Sequence, residues 1–249
     1  MNMWIKPHLQ EETTSGQSMS AWTSTRSVAG SNEDWQQRLA TSLQQHAWSA
    51  ALTNIVGKLA AGEQLTLQDG ITLYHHPNLN EVGHLANEVR TARFDNKAFF
   101  NSNVHVNQTN VCVLACKFCA FRRSKKAKDA YAMDIDAYIE DLAKYAEHVD
   151  EVHSVGGLHP DWGVEHYESL FQATKKAFPH ITIKALTAVE IKHLSQVSNT
   201  TYEDTLRRLK EAGLGSLPGG GAEILDDEVR AIICNGKESS DEYLEIHRT

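Results

Sequence analysis

The chain has 249 residues, of which 41% are hydrophobic, and a formal net charge of −8. This length allows one globular domain with a substantial core and some appendages. The acidic balance argues against a nucleic-acid partner, and no apolar run approaches the roughly 20 residues that a membrane helix needs. Because no charged region followed by an apolar segment marks a secretory signal, we expect a cytoplasmic protein without a membrane partner.

The first 30 residues differ in composition from the rest of the chain. They are rich in Ser, Thr, Gln and Gly and poor in apolar residues. Such a segment buries too little apolar surface to offset the entropy of ordering the chain. We therefore expect a disordered leader over residues 1–30.

Helical spacing of apolar residues begins after the leader and continues to about residue 98. Ser31 and Asp34 resemble a capping box, and apolar residues recur behind them with the period of a helix. Four helices are predicted, over about 35–48, 51–61, 66–74 (capped by Thr66) and 78–89 (capped by Asn78). We interpret residues 31–98 as a helical cap whose side chains pack a core, with His75 and His76 exposed in a loop.

From about residue 99, strand-like runs alternate with amphipathic helices, which is typical of βα units around a parallel sheet. Strands are predicted over about 102–106, 151–155, 181–186 and 214–217. Helices are predicted over about 135–148 and 165–177, from a capping box at Thr200 and Glu203 to Gly213, over 226–234 and from Ser239. The sequence therefore predicts an α/β fold, a partial TIM-like (β/α) barrel of about four βα units over residues 99–249.

The predicted barrel is incomplete. A closed βα barrel takes roughly 250 residues by itself, and the last amphipathic helix, at Tyr243, Leu244 and Ile246, has no stop signal. We therefore expect the chain to be the N-terminal part of a longer protein or a truncated gene product.

Three of the four cysteines, Cys112, Cys116 and Cys119, share one short segment with three and then two residues between them. Thiolates are soft ligands that suit iron–sulfur clusters or zinc. Because cubane clusters are otherwise held by four cysteines, three thiolates leave one iron open to a small molecule. The alternatives are a zinc site, which needs a fourth ligand such as Cys234, or plain burial. We expect these three cysteines to hold a cluster and Cys234 to be a core residue.

The pattern CxxxCxxC with Phe118 before the last cysteine resembles the radical S-adenosylmethionine (SAM) superfamily. The longer string over residues 109–121 resembles the branch that holds the two radical enzymes of futalosine-type menaquinone synthesis and the deazaflavin (FO) synthases. This resemblance implies a radical SAM barrel with a [4Fe–4S] cluster. It also implies S-adenosylmethionine as co-substrate, a small-molecule substrate, and a reducing partner such as flavodoxin or ferredoxin.

Residues after the predicted strands are the remaining site candidates. In the family a Gly-Gly segment after the second strand contacts the amino group of SAM, and Gly156 and Gly157 match it by position; taken alone, a glycine turn explains them equally well. Glu190 and Glu223 follow the next two strands and can bind ribose hydroxyls or move protons, although isolated glutamates more often start helices. The predicted cofactor-binding residues are Phe118, Gly156, Gly157, Glu190, Gly219 and Gly220.

The glycine run 219–221 is not a P-loop, because the Gly-Lys-Ser/Thr ending is absent. Its backbone amides can still cradle an adenosine or a carboxylate. The basic run after the cluster segment is typical of a solvated loop. Arg123 is the exception, since related enzymes carry an arginine there that can pair with a substrate carboxylate. The candidate catalytic residues are His159, Glu190, Glu223 and Arg123.

The segment 183–191 distinguishes members of this branch. It is similar to the aminofutalosine (aminodeoxyfutalosine) synthases, whereas dehypoxanthine futalosine cyclases usually carry a Ser-Pro pair before the glutamate; Asp161-Trp162 and the string 245–248 also fit the synthases. The resemblance implies addition of a 5′-deoxyadenosyl radical to 3-[(1-carboxyvinyl)oxy]benzoate, aryl migration and loss of carbon dioxide, giving 6-amino-6-deoxyfutalosine. The alternatives are the cyclase, an FO-synthase-like enzyme, or a non-catalytic fragment that binds an iron–sulfur cluster or zinc.

Overall fold

A computed structural model of the chain describes residues 30–249. The leader predicted over residues 1–30 lies, except for its last residue, outside the described residues. The chain divides into two compact units, Met1–Phe99 and Phe100–Thr249, and each has an apolar core of its own. Among the described residues, no helix combines the length and the apolar character that crossing a membrane requires.

The first unit is helical in its described part. Between residues 30 and 99 its helices are α1 (Trp35–Leu43), α2 (Thr53–Ala61), α3 (Leu67–Tyr74) and α4 (Leu79–Phe94). Their apolar faces meet in a core of Trp35, Leu39, Leu43, Leu52, Ile55, Leu85 and Ala92. The predicted cap of α3 is confirmed as a full capping box, in which the Thr66 hydroxyl and the Asp69 carboxylate each accept a backbone N–H of the other residue.

Two details of the first unit differ from the prediction. The box at Ser31 and Asp34 is wrong, because Asp34 precedes α1 without a side-chain capping hydrogen bond. Asn32 fixes the start of α1 instead, since its backbone N–H donates to the carbonyl of Arg93 at the end of α4 (2.7 Å). His75 is exposed as predicted, but the side chain of His76 is only 3% exposed.

The second unit, residues 100–249, contains one parallel sheet in the order β1-β2-β3-β4. The strands are β1 (Asn103–His105), β2 (Glu151–Ser154), β3 (Thr182–Ala185) and β4 (Leu214–Ser216). The helices are α5 (Ile135–Ala143), α6 (Val164–Ala177), α7 (Ala188–Ser198), α8 (Tyr202–Ala212), α9 (Asp227–Ile233) and α10 (Ser240–Arg248). The predicted α/β fold is confirmed, and all four strands end at one edge of the sheet.

One helix of this unit was not predicted from the sequence. A single helix was predicted between the last two strands, but α7 and α8 both lie there. They are separated at Asn199, which adopts the left-handed conformation. The capping box at Thr200 is also wrong by one residue: the hydroxyl of Thr201 accepts the Asp204 N–H, while Thr200 bonds to the hydroxyl of Thr205 (2.7 Å).

Candidate cofactor site

The segment with the three cysteines is a loop that follows β1 at the carboxyl edge of the sheet. Its ends are clamped by backbone hydrogen bonds, from Cys112 N to Arg123 O (3.0 Å) and from Arg123 N to Asn110 O (2.7 Å). The side-chain amide of Asn110 also donates to the carbonyl of Asp129 (2.9 Å). The residues 107–133 therefore form a closed loop that presents three half-buried thiols.

The thiols lie within electrostatic range of one another. Burial raises the pKa of the Cys116 thiol; Cys234, Cys112 and Cys119 act in the same direction, and the ammonium of Lys237 opposes them. Thiolates around a single tetrahedral zinc stand about 3.8 Å apart, given Zn–S bonds of about 2.3 Å. Among residues 30–249, no group of three potential metal ligands within 4.8 Å of one another includes a cysteine. The three Sγ atoms of the loop therefore do not all lie within 4.8 Å of one another.

Cys234 is buried, as expected for a core residue. It is not isolated, however, from the loop over residues 107–133 that carries the other three cysteines, which we call the cluster loop. It ends α9, and the Lys117 N–H donates to the carbonyl of neighbouring Ile233 (2.7 Å). A side chain on Gly236 would begin 3.1 Å from Leu114 Cδ2. The segment 233–237 therefore packs against the cluster loop, a contact between distant parts of the sequence that no local pattern predicts.

The two glycines after β2 pack directly against the cluster loop. The Gly157 N–H donates to Thr109 O (2.9 Å). A methyl group on Gly157 would lie 2.2 Å from Val111 O, and one on Gly156 would lie 2.9 Å from Gln108 Nε2. The close approach of the chain to itself is therefore sufficient to require glycine at these positions. The predicted contact with SAM remains a prediction, and valine at either position would displace the loop with or without a ligand.

Glu190 is a buried carboxylic acid in the first turn of α7. Its two oxygens accept hydrogen bonds from the Gly156 N–H (3.0 Å) and from the Thr187 hydroxyl (2.9 Å). Burial raises the pKa of this carboxyl to about 7. The structure thus brings Glu190 to the Gly-Gly loop and gives it a proton affinity suited to transfer near neutral pH.

Glu223 is paired with Lys237, a residue that the sequence analysis did not single out. The ammonium Nζ lies 2.9 and 3.0 Å from the two carboxylate oxygens and 5.8 Å from the centre of the Phe118 ring. The side chain of Lys237 is only 8% exposed. An ion pair with a mostly buried ammonium and a 27% exposed carboxylate therefore lies beside the aromatic residue of the cluster loop.

The buried side chain of Arg230 holds the Gly-rich loop after β4 through hydrogen bonds. Its guanidinium donates to the carbonyls of Ala222 (2.7 Å) and Ile224 (3.1 Å), and to that of Glu238 (2.8 Å). Glu238 also accepts from Arg230 through Oε1, but its buried Oε2 has no hydrogen-bond partner. Neither residue is predicted from the sequence, since nothing but tertiary contact distinguishes Arg230 and Glu238 from ordinary surface charges.

Gly219 and Gly220 stay exposed at the surface of that loop. A methyl group on Gly219 would meet nothing nearer than the Tyr243 hydroxyl, at 4.0 Å. Gly219 therefore leaves room for a ligand against the backbone, whereas a methyl group on Gly220 would lie 3.3 Å from Thr187 Cγ2.

The other two candidates make contacts within the protein. The Arg123 guanidinium donates to Asp129 (2.5 Å) and to the Ala120 carbonyl (2.8 Å), so it ties the cluster loop together. The ring of His159 stacks on Trp162 at 4.4 Å, and burial lowers the pKa of His159. Both side chains lie on loops of the site. Each already has a partner within the protein, Asp129 for Arg123 and Trp162 for His159.

Comparison with known proteins assigns the family. Residues 106–249 match the model of the Radical SAM superfamily. This match covers more than half of the chain, and it includes all three cysteines of the loop. The chain belongs to the radical SAM superfamily, a superfamily of enzymes, as the cysteine pattern indicated.

Comparison with curated relatives indicates which members of the superfamily the chain resembles. The chain is 39% identical to an aminodeoxyfutalosine synthase of Thermus thermophilus over 80% of its own length and 54% of the relative. It is 42% identical to that of Streptomyces coelicolor, over 77% of the chain and 50% of the relative. A cyclic dehypoxanthine futalosine synthase of Streptomyces coelicolor is 38% identical over 79% of the chain and 51% of the relative. The chain thus spans about half the length of the curated relatives it matches.

Solved structures share the fold at low identity. A crystal structure of HydG, a maturase of the [FeFe]-hydrogenase, superposes with a TM-score of 0.61 at 14% identity, covering 90% of this chain and 48% of that one. At this identity the likeness concerns the fold alone, and it agrees with a partial TIM-like barrel.

Proposed function

We propose that this chain forms the cluster-binding and SAM-binding part of an aminodeoxyfutalosine synthase. The observation that carries the proposal is the loop at the carboxyl edge of the sheet, on which Cys112, Cys116 and Cys119 stand in the superfamily pattern. The identities of 39% and 42% to two synthases support this member of the branch, as does the segment 183–191.

The residues of the site fit the two cofactors that the family implies. The three thiols would bind three irons of a [4Fe–4S] cluster, and SAM would lie over it between the Gly-Gly loop, Phe118 and the exposed Gly219 and Gly220. The ion pair of Lys237 and Glu223 offers one charge for the carboxylate and one for the ammonium of an amino-acid group. Bound together, such a cluster and SAM supply a 5′-deoxyadenosyl radical.

The protein's own contribution would be to position the reactants and to shield them from water. Glu190 accepts the Gly156 N–H and so fixes the loop against which SAM would lie. The proposed reaction would join the adenosyl carbon of SAM to the alkene of 3-[(1-carboxyvinyl)oxy]benzoate and, with aryl migration and loss of carbon dioxide, give 6-amino-6-deoxyfutalosine; the protein would hold the two reactants together for this step. Holding the reactants in this geometry is the main source of rate acceleration expected from the protein. The electron would come from a small reducing partner such as flavodoxin or ferredoxin.

The alternative within the branch is the cyclase, whose relative is nearly as similar. The alternative of another class is a fragment that binds iron–sulfur or zinc without turnover. The test begins with anaerobic reconstitution, which should give a brown protein with about four irons per chain. A colourless protein that takes up only zinc would contradict the cluster.

The second stage of the test identifies the substrate. The reconstituted chain is given SAM, a reductant and either the enolpyruvyl benzoate or dehypoxanthine futalosine, and products are identified by mass spectrometry. Aminodeoxyfutalosine from the first substrate supports the synthase. Conversion of the second substrate alone would show that the cyclase is the correct member. A cluster-loaded chain that consumes neither, even when supplemented with the remaining segment of its relatives, would contradict both.

A further inference from the structure

The first unit contains a second place where metal-ligating side chains converge. One ligand atom from each of His46, His84 and Glu88 lies within 4.8 Å of the other two. The Nε2 atoms of His46 and His84 lie 3.8 and 3.7 Å from the same oxygen, Oε1 of Glu88. These side chains are unrelated to the cluster loop, which belongs to the second unit.

The local structure explains why they meet. His84 and Glu88 are one turn apart on α4, so they share a face of the helix. His46 lies in the loop that follows α1, and its ring stands nearly perpendicular to that of His84 at 4.4 Å. The two elements α1 and α4 pack together in the core of this unit, so the convergence is set by the fold.

The carboxylate and one imidazole are held from outside the group. The Ser42 hydroxyl donates to the second oxygen of Glu88, which leaves Oε1 directed at the imidazoles. The Trp48 ring packs 5.4 Å from the His84 ring, and its Nε1 is anchored to Leu43 O (2.9 Å). Hydrogen bonds and packing of this kind orient the ligands of known metal sites.

We propose that His46, His84 and Glu88 bind a divalent first-row transition ion of the zinc class. Two imidazoles and one carboxylate are a ligand set typical of Zn²⁺ with one open position. Ligands about 2.0–2.1 Å from a tetrahedral ion stand about 3.3–3.4 Å apart, so the two imidazole–carboxylate distances of 3.8 and 3.7 Å need to shorten by only about 0.3–0.5 Å. The side chains are 37%, 44% and 14% exposed, respectively, which leaves a path for the ion.

Such an ion would cross-link the loop after α1 to the middle of α4. Its binding free energy would then stabilise the fold of the first unit, because the ligands are brought together only in the folded state. The proposal is independent of the cluster and of the reaction proposed above.

The experiment uses the full chain with Cys112, Cys116 and Cys119 replaced by alanine, so that cluster-loop thiols take up no metal. This protein is titrated with Co²⁺, followed by its visible absorption, and then with Zn²⁺. One Co²⁺ per chain should bind saturably with nitrogen and oxygen ligation and be displaced by Zn²⁺. Glu88→Gln and His84→Gln should each weaken binding at least tenfold, and Ser42→Ala by about tenfold. His75→Gln, at an exposed histidine of the same unit, should bind as the parent does.

A second measurement avoids any dependence on the folding of the triple variant. The chain with intact cysteines and its His84→Gln variant are loaded with Zn²⁺, desalted and analysed for zinc, and the variant should retain one ion fewer. Equal zinc content in the two proteins, or Co²⁺ uptake that the His84 and Glu88 substitutions leave unchanged, would overturn the proposal.

Discussion

Cys112, Cys116 and Cys119 come from one loop, whereas Cys234 reaches the same neighbourhood from the end of α9. We expect replacement of any of the three loop cysteines by alanine to abolish most of the iron and sulfide retained after anaerobic reconstitution, because each would supply one corner of the cluster. Cys234→Ala should keep its iron. Iron loss in Cys234→Ala equal to that in Cys116→Ala would show that the assignment of the ligands is wrong.

Glu190 provides a pH-dependent prediction. Its pKa is raised by burial from an ordinary 4.5 to about 7, so the folded chain holds a proton there that the unfolded chain releases at lower pH. This carboxyl therefore contributes most to stability at low pH, and the contribution falls as pH rises from about 4.5 through 7. By pH 8 the penalty is roughly 3 kcal/mol.

Glu190→Gln removes the ionisation. The free energy of unfolding of the variant, relative to that of the parent chain, should rise between pH 5 and pH 8. Urea unfolding at a series of pH values measures this difference. The matched control is Glu147→Gln, at an exposed position, which should show no comparable trend. A Glu190→Gln difference that stays flat with pH would contradict the burial argument.

Two pairs of glycines look alike in the sequence but differ in their surroundings. Gly157→Ala would place a methyl group 2.2 Å from Val111 O, whereas Gly219→Ala meets only an ordinary contact at 4.0 Å. We expect Gly157→Ala to lower the melting temperature by several degrees and to reduce iron retention, because the cluster loop must move. Gly219→Ala should have the melting temperature of the parent chain. If calorimetry shows that this variant binds SAM more weakly than the parent chain does, the ligand lies against that loop. A fully stable Gly157→Ala would show that the two loops are not locked together.

The prediction of the elements succeeded where a helix or strand carries a local signal. The capping residues Thr66 and Asn78 and the apolar strands of the sheet are such signals. The prediction of helices failed at α7. Residues 183–191 form a nearly continuous apolar and β-branched run, so the sequence does not show where β3 ends and the helix starts. The turn that separates them, with Leu186 at a positive φ, has no glycine to mark it.

The site was predictable only in part, for a related reason. The spacing of the three cysteines identifies their loop from the sequence alone. The ion pair of Lys237 with Glu223 and the anchoring of the Gly-rich loop by Arg230 depend on contacts between residues that carry no pattern of their own. Arg123 shows the converse, since a position matched to relatives is bonded to Asp129 in the structure.

The sheet has an open side at β4, which pairs only with β3 among the residues the structure describes. Pockets of βα barrels are built from the loops of many strands, and the described residues contain four strands with such loops. We therefore expect the 249-residue chain to form little or no aminodeoxyfutalosine by itself, under conditions in which the Thermus thermophilus relative turns over. Mass spectrometry of the two reactions, run in parallel with equal iron content, makes the comparison. Similar turnover by both proteins would show that four βα units suffice.

The contact of residues 233–237 with the cluster loop also sets an order of events during synthesis. A ribosome delivers Cys112, Cys116 and Cys119 long before it delivers Ile233, whose carbonyl bonds to Lys117. Throughout that interval the nascent chain carries its three thiols without the segment that later packs against their loop. Metal delivery while the chain is still being made therefore meets the loop before residues 233–237 pack against it, and delivery to the released protein meets the same loop with its thiols half-buried.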